Sequence, residues 1–401
     1  MVLLIPYDPL EPFNNLVTAI KCKPDILLIF GNVNIETTKT EYLQKLKQLG
    51  LKKTQIRVHA CDIYNLNSMV SVLSKCIAQY GAENCILDAT GGEERLLFAS
   101  GYLCKSVSVP VVLYSLLKKT FRCLNGDLPA KFENPSIKLS VEQRIEINNC
   151  QVLRSGHVDS NAMNNEFWEI ARKVFFVYMK NKRQWPAFTK YLQQLLQICD
   201  TYAVDGLTFI GPTKFRLNDG HYVRLDLSIV KSLVSTGAIT DFEVQDGTVR
   251  LKCRSYSIQK ALMDTGAWLE LYLFGQLKQC DEIDDVQLDQ VLSWDSDNEH
   301  TVNELDIIAT SGASVFFISC KTGTLNMNML YEIKTMAQRF GGMYSIPVLA
   351  TVCDMVSEAP ALLRRASAMG IVILDMEDLV KKNPAKELLL ESQKLLASYS
   401  W

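Results

Sequence analysis

Two carboxylates, a serine and a lysine crowd the stretch Glu304-Leu-Asp306-Ile-Ile-Ala-Thr-Ser-Gly-Ala-Ser-Val-Phe-Phe-Ile-Ser319-Cys-Lys321-Thr-Gly323. Its apolar runs predict two strands, Glu304–Thr310 and Ser314–Lys321, joined by a tight turn at Ser311–Ser314. Such a turn pairs Thr310 with Val315, Asp306 with Ser319 and Glu304 with Lys321, and strand residues two apart share a face. Glu304, Asp306, Ser319 and Lys321 are therefore expected on one side of one ribbon, within cross-strand reach. Two carboxylates supply the oxygen ligands that a hard divalent cation takes. A lysine beside them can orient or help deprotonate an attacking water and offset charge on a phosphate. The plainer alternative is a Glu304–Lys321 ion pair on a solvated sheet face, which stabilises little.

Around this ribbon the sequence predicts a second α/β domain: a helix at about Ser257–Leu277, an acidic, weakly periodic loop from Asp281 to Glu299, and the two strands. A helix at about Asn328–Phe340, strand Ile346–Val352, helix Glu358–Met369 and strand Ile371–Asp375 complete it. At the other end, strands Val2–Pro6, Asp25–Phe30, Gln55–Ala60, Cys85–Ala89 and Val109–Leu116 alternate with helices near Phe13–Lys21, Lys39–Leu49, Asn67–Tyr80 and Glu94–Lys105. Continuous apolar strands alternating with helices imply a parallel sheet covered on both faces. Ligands of such sheets bind at the carboxyl ends of the strands, which puts forward Asp8, Asn14, Gly31, Asn32, Asp62 and Thr90-Gly91-Gly92. Paired glycines let backbone N–H groups approach a phosphate, and a helix N-terminus favours an anion. A capping box between Thr90 and Glu93 would explain the same residues without a ligand.

Between the two ends, residues 121–160 read as a β-rich tail or connector. A helix at Asn165–Met179 opens a basic stretch from Arg172 and Lys173 through Lys180, Lys182 and Arg183. That stretch is either a solvated helix face or the chain's basic track for nucleic acid. A helix at Leu227–Ser235, ending at Gly237, precedes a hairpin of Ile239–Val244 and Thr248–Cys253 turned by Asp246-Gly247. Helix and hairpin together suggest a small winged-helix-like module.

Acidic residue, hairpin and a lysine after a buried apolar strand resemble the PD-(D/E)XK restriction-endonuclease-like core. Trp268–Glu270, Glu304-Leu-Asp306, Ile318-Ser-Cys-Lys321-Thr-Gly323 and Gly341-Gly342 are similar, in order, to the nuclease half of the CRISPR-associated CARF-domain nucleases. Leu87-Asp-Ala-Thr90-Gly91-Gly92 resembles the Thr-Gly-Gly motif of the CARF sensor. The resemblance implies an α/β chain with an N-terminal doubly wound (Rossmann-like) CARF domain at 1–150, a helical and winged connector at 151–254, and a restriction-endonuclease-like domain at 255–401. It implies a cytoplasmic homodimer, an effector of type III CRISPR antiviral defence, activated by cyclic tetra-adenylate and cutting or nicking DNA and single-stranded RNA. Glu270, Asp306 and Glu304 would hold Mn²⁺ or Mg²⁺, and Lys321 would orient the water. The activator would meet Thr90, Gly91, Gly92 and the loop residues named above. Two positions depart from the family. Ser319 replaces an acidic residue two before the lysine, and Glu93-Glu94 replace Thr-Lys after the glycines, which shifts ligand contacts toward Arg95 or other loops. Ser319 is the best support for the competing expectation, a cyclic-oligoadenylate-responsive DNA-binding regulator with a degenerate nuclease fold.

Composition narrows the field. The 401 residues carry 42 basic and 44 acidic side chains, net charge −2, with 48% hydrophobic and 21% charged residues. That is an ordinary globular chain of two or three domains, not a disordered one. Near-neutrality excludes binding driven by bulk positive charge, yet allows a nucleic-acid enzyme with one local site. Twelve cysteines without a C-x-x-C pair and four scattered histidines (His59, His157, His221, His300) argue against structural zinc. Dinucleotide-binding, P-loop and nucleophile-elbow signatures are absent. The apolar N-terminus breaks at Pro6 with no basic region before it, so it reads as a strand and not a signal peptide.

Overall fold

The computed structural model describes residues 1–134, 136–155, 163–199, 205–217, 220–295 and 298–399. The first lobe runs β1 (Val2–Pro6), α1 (Pro12–Cys22), β2 (Ile26–Gly31), α2 (Ile35–Gln48), β3 (Gln55–Ala60), α3 (Leu66–Tyr80), β4 (Cys85–Asp88), α4 (Glu94–Cys104), β5 (Val111–Ser115) and β6 (Thr120–Asn125). Its sheet has the order β3-β2-β1-β4-β5-β6, with β1 to β5 parallel and β6 antiparallel to β5. Leu3 and Ile5 of β1 pack into one core and Val2 and Leu4 into another, which is why the strand is apolar throughout. The expected doubly wound lobe is present. Its strand order reverses between β1 and β4, so the loops after Pro6 and Asp88 open side by side.

The middle of the chain holds α5 (Val141–Ile147), β7 (Gln151–Ser155), α6 (Asn165–Lys180), α7 (Trp185–Cys199), β8 (Thr208–Pro212), β9 (Lys214–Arg216), β10 (Tyr222–Arg224), α8 (Leu227–Thr236), β11 (Ile239–Gln245) and β12 (Thr248–Cys253). A small sheet of order β11-β12-β8 lies beside α8, the winged-helix-like arrangement expected. Asp246 and Gly247 take positive φ, 48° and 76°, as the tight hairpin turn requires. The middle is not a separate unit, because one core joins α6, α7 and α8 to the C-terminal lobe. Phe175 of α6 stacks on Tyr272 with ring centroids 3.9 Å apart.

The last lobe comprises α9 (Tyr256–Leu262), α10 (Ala267–Lys278), β13 (Asp285–Asp295), β14 (Asn298–Ser311), β15 (Ser314–Lys321), α11 (Met327–Gly341), β16 (Ser345–Thr351), α12 (Met355–Glu358), α13 (Pro360–Ala368), β17 (Val372–Leu374), α14 (Met376–Val380) and α15 (Pro384–Tyr399). The sheet order is β17-β16-β15-β14-β13-β7, parallel from β15 to β17 and antiparallel elsewhere. Four sequence expectations need correction. The helix at Ser257–Leu277 is two helices, because Asp264 Oδ1 accepts the Gly266 N–H at 2.7 Å and turns the chain between them. The helix expected at Glu358–Met369 starts later, at Pro360, because Glu358 ends the short helix α12 and Pro360 has no N–H to continue it. Residues 285–295 form an inner strand, not a loop; their carboxylates and amides mask buried Leu288, Val291 and Leu292. Gln151–Ser155, expected in the connector, is the edge strand of this same sheet. His157 lies outside the described residues.

The outer lobes meet at Arg144 of α5, which is fully buried. Its Nε donates to the Ala313 carbonyl at 3.3 Å and its Nη2 to the Gly341 carbonyl at 2.9 Å. The guanidinium also lies 3.8 Å from the Phe13 ring centroid of α1. Burial pushes its pKa down to about 10. Beside it, the Glu11 carboxylate accepts the Met343 N–H at 2.9–3.0 Å. Arg144→Ala leaves two buried carbonyls without donors and opens a cavity. It is expected to weaken the junction by about 3 kcal/mol and to resolve calorimetric unfolding into two transitions. An unchanged calorimetric trace would count against this role for Arg144.

Candidate functional site

The hairpin register matches expectation at the turn, where Thr310 pairs with Val315 and Ser311 with Ser314 around Gly312-Ala313. The ladder then stops at Ile307–Ile318, one residue short of Asp306. There the Asp306 side chain acts as acceptor: its Oδ2 takes the Cys320 N–H at 2.6 Å and the Ser319 hydroxyl at 3.3 Å. Lys321 Nζ stands 3.8 Å from the same oxygen. The lysine's ion-pair partner is thus Asp306, and the alternative Glu304–Lys321 pair does not form. Both hydrogen bonds to the Asp306 carboxylate fall on Oδ2, and among the described residues none falls on Oδ1.

Glu270 projects from the first turn of α10 into a cleft of about 320 Å³, which Asp289, Glu304, Asp306 and Lys260 also line. Burial pushes the Glu270 carboxyl up to about 8, with the charges of Asp306, Asp289 and Asp264 adding to the rise and Lys321 opposing it. Burial raises Asp306 as well, held in check first by Lys321 and then by the Cys320 N–H. Glu304 is exposed on β14 opposite Val291. Asp289 escaped the sequence reading because it lay in the supposed acidic loop. It sits at positive φ, 52°, where β13 skips a pairing with Asp306. The signal was available in Leu288-Asp289-Gln290-Val291, where two successive polar residues break an alternating run. Among the described residues no three His, Cys, Asp or Glu side chains already stand in a metal-ligating array. The acids nevertheless fit a divalent cation by chemistry, since mutually repelling, half-buried carboxylates are what a bound cation neutralises.

The residues proposed for ligand binding gather at the reversal point of the N-terminal sheet. Asn14 Nδ2 donates to Asp8 Oδ2 at 3.3 Å. A side chain at Gly91 would collide with Asn14, and one at Gly92, whose φ is +141°, would strike Pro6. Gly31 packs against Tyr7 and Leu96. Asp62 accepts the Tyr64 N–H at 2.9 Å, and Arg95 lies 4.5 Å from the Tyr64 ring centroid while pairing with Glu93 at 2.9 Å. Asn32 is exposed at the end of β2. The capping box does not form. Helix α4 is capped by Glu93, whose carboxylate accepts the Arg95 and Leu96 N–H groups. The Thr90 hydroxyl donates to Asp88 at 2.6 Å and accepts the Tyr114 N–H at 2.9 Å. Asp88 is fully buried, and burial pushes its carboxyl up to about 6.

Residues 259–393 match the family model described as Card1-like, endonuclease domain. Solved structures of the same fold include protein VC1899 from Vibrio cholerae, with TM-score 0.72, 14% identity and 98% of each chain covered. Another is Can2 from Sulfobacillus thermosulfidooxidans in complex with cyclic tetra-adenylate, with TM-score 0.63, 15% identity, and 98% of this chain and 97% of that one covered. No curated protein matches the sequence. The likeness spans both lobes, so the two-lobed α/β architecture is shared from end to end.

The raised Glu270 carboxyl has a consequence for stability. The folded chain keeps a proton that the unfolded chain has released, so metal-free stability falls as pH rises from the ordinary glutamate range to about 8. In EDTA the melting temperature is expected to drop by a few degrees between pH 6 and 8. Glu270→Gln should flatten that slope, and Mn²⁺ should raise the melting temperature more at pH 8 than at pH 6. A wild-type slope that survives Glu270→Gln would assign the titration elsewhere.

Proposed function

We propose, with residues 259–393 matching the Card1-like endonuclease domain model, that this chain is a divalent-metal-dependent nuclease switched on by cyclic tetra-adenylate. The observation that carries the reading is the clamped Asp306, fixed by the Cys320 N–H and 3.8 Å from Lys321, beside Glu270 in one cleft. The lobe at 1–150 is the sensor and 255–401 the nuclease, with 151–254 linking them and lending β7 to the nuclease sheet. Thr90, Gly91, Gly92, Asp8, Asn14, Gly31, Asn32, Asp62 and Arg95 form the sensor's ligand surface at the strand reversal.

Glu270, Asp306 and Glu304 would hold Mn²⁺ or Mg²⁺, and Asp289 joins their lining. A bound divalent cation supplies Lewis-acid polarisation of the phosphoryl oxygen and lowers the pKa of water. Asp306 is oriented for this by its Oδ2 contacts, which leave Oδ1 for the cation. Ser319 then has a task in place of a carboxylate: its hydroxyl steadies Asp306. Lys321 orients the attacking water and offsets charge at the phosphate. Water oxygen bonds to phosphorus, the ester bond to the leaving oxygen breaks, and the proton released is made up at that oxygen. DNA is the primary substrate and single-stranded RNA a second.

The sensor works as a homodimer in the cytoplasm. The outer face of α4 supports self-association, since Phe98 and Tyr102 are 67% and 59% exposed beside Arg95. Eleven cysteines form no disulfide among the described residues, which suits a reduced compartment. No helix among the described residues is long and apolar enough to cross a membrane.

The test is to incubate purified protein with plasmid, single-stranded DNA and single-stranded RNA in Mn²⁺, with and without cyclic tetra-adenylate. Cutting is expected only with the activator. Lys321→Ala and Glu270→Gln should each reduce it by at least about 10²-fold. Cutting that survives Lys321→Ala would remove the site assignment. Activator-dependent DNA binding with no cutting in any metal would favour the regulator, for which Ser319 is the motive.

A further inference from the structure

A second cavity, of about 510 Å³, opens at the carboxyl ends of β15 and β16. Lys182 and Arg183, from the turn between α6 and α7, form one wall, and Thr322, Gly323 and Thr324, which directly follow Lys321, form another. The two cations differ in their freedom. Lys182 Nζ donates to the Val352 carbonyl at 3.2 Å and stands 3.8 Å from Glu358, so its charge is largely spent. Arg183 is exposed and makes no hydrogen bond or ion pair with the described residues. The opposite wall is accessible: a Cβ placed on Gly323 would meet nothing within 4 Å. Lys321 therefore marks a divide. The carboxylate cleft begins with its partner Asp306, and the cavity with the free guanidinium begins at Thr322.

We infer that this second cavity is a phosphate subsite, which seats the backbone of the substrate strand at a linkage other than the one being cut. The inference rests on the nuclease reading and extends it. A cleft lined by five carboxylates against one lysine, Lys260, repels a polyanion, so the strand needs a further cation nearby to hold it in place. A guanidinium presents a fork that matches two phosphate oxygens. Contacts of this kind fix register without reading bases, so the ligand is a phosphodiester backbone of DNA or RNA, irrespective of sequence.

The test uses the full chain with cyclic tetra-adenylate and Ca²⁺, and fluorescence anisotropy of a labelled single-stranded oligonucleotide. Arg183→Ala is expected to weaken binding about 10-fold and to reduce the slope of log affinity against log salt by about 0.7. Lys53→Ala, which removes an exposed charge from the N-terminal lobe, should change neither. In a scan of neutral methylphosphonate linkages, one position should cost the wild type about as much as Arg183→Ala, and cost that variant nothing more. Equal losses for Arg183→Ala and Lys53→Ala, or a scan in which the variant responds like the wild type, would overturn the subsite while leaving the nuclease intact. A wild type that neither binds nor cuts any strand would overturn both.

Discussion

A β-ladder that gives way to a side chain is the constraint on which the catalytic lobe depends. Strands β14 and β15 pair as far as Ile307–Ile318, and then the Asp306 carboxylate accepts the Cys320 N–H. An acid on a continuous strand would be free to choose among rotamers and would stay hydrated. Here the backbone of the neighbouring strand fixes one oxygen, and burial raises the cost of leaving it charged. Lys321 and the Cys320 N–H limit that cost, and although Lys321 also opposes the rise at Glu270, burial and three neighbouring acids outweigh it there and the rise is larger. The lobe therefore holds an unresolved excess of negative charge in a half-buried place. Proteins retain such strain where a ligand is meant to relieve it.

The surrounding fold exists to hold that arrangement still. Helix α10 brings Glu270 while packing Trp268, Leu269 and Leu273 into the large shared core. The stacked Phe175–Tyr272 pair ties α10 to α6, so the middle of the chain acts as a buttress for the cleft. The same α6 leads into the turn bearing Lys182 and Arg183. Thus one core positions both the acids and the turn that bears Arg183.

Much of this was legible in the sequence, and the failures have physical causes. Strands β1 and β2 could be read because they are buried on both faces and continuously apolar, and β4 because only Asp88 at its end departs from that pattern. The Asp246-Gly247 turn could be read because few residue pairs tolerate its backbone angles. The Thr310–Val315 register followed from turn length alone. Strand β13 could not be read: its polar residues are half-buried, and Gln290, only 3% exposed, satisfies its amide by donating to Leu288. Thr90 was given two roles by its neighbours in sequence, a cap and a ligand contact. The cap does not form: the hydroxyl bonds Asp88 and Tyr114, and the second partner is distant in sequence. Arg144 carried no signal, because what buries it comes from three remote segments. Local chemistry was visible; long-range partners were not.

The Glu11–Met343 contact has a mechanical side. Glu11 belongs to the turn that Asp8 caps, since Asp8 Oδ1 accepts the Leu10 and Glu11 N–H groups, and that turn borders the strand reversal. Met343 follows the Gly342 cap of α11, a rod of 15 residues, about 22 Å long at 1.5 Å per residue. The far end of that rod joins the Thr322–Leu325 loop beside Lys321. A displacement of the Asp8–Glu11 turn must either break its hold on Met343 or be carried along a stiff helix to the rim of the cleft. Helix α11 is thus a stiff link between the lobes, set beside the Arg144 junction.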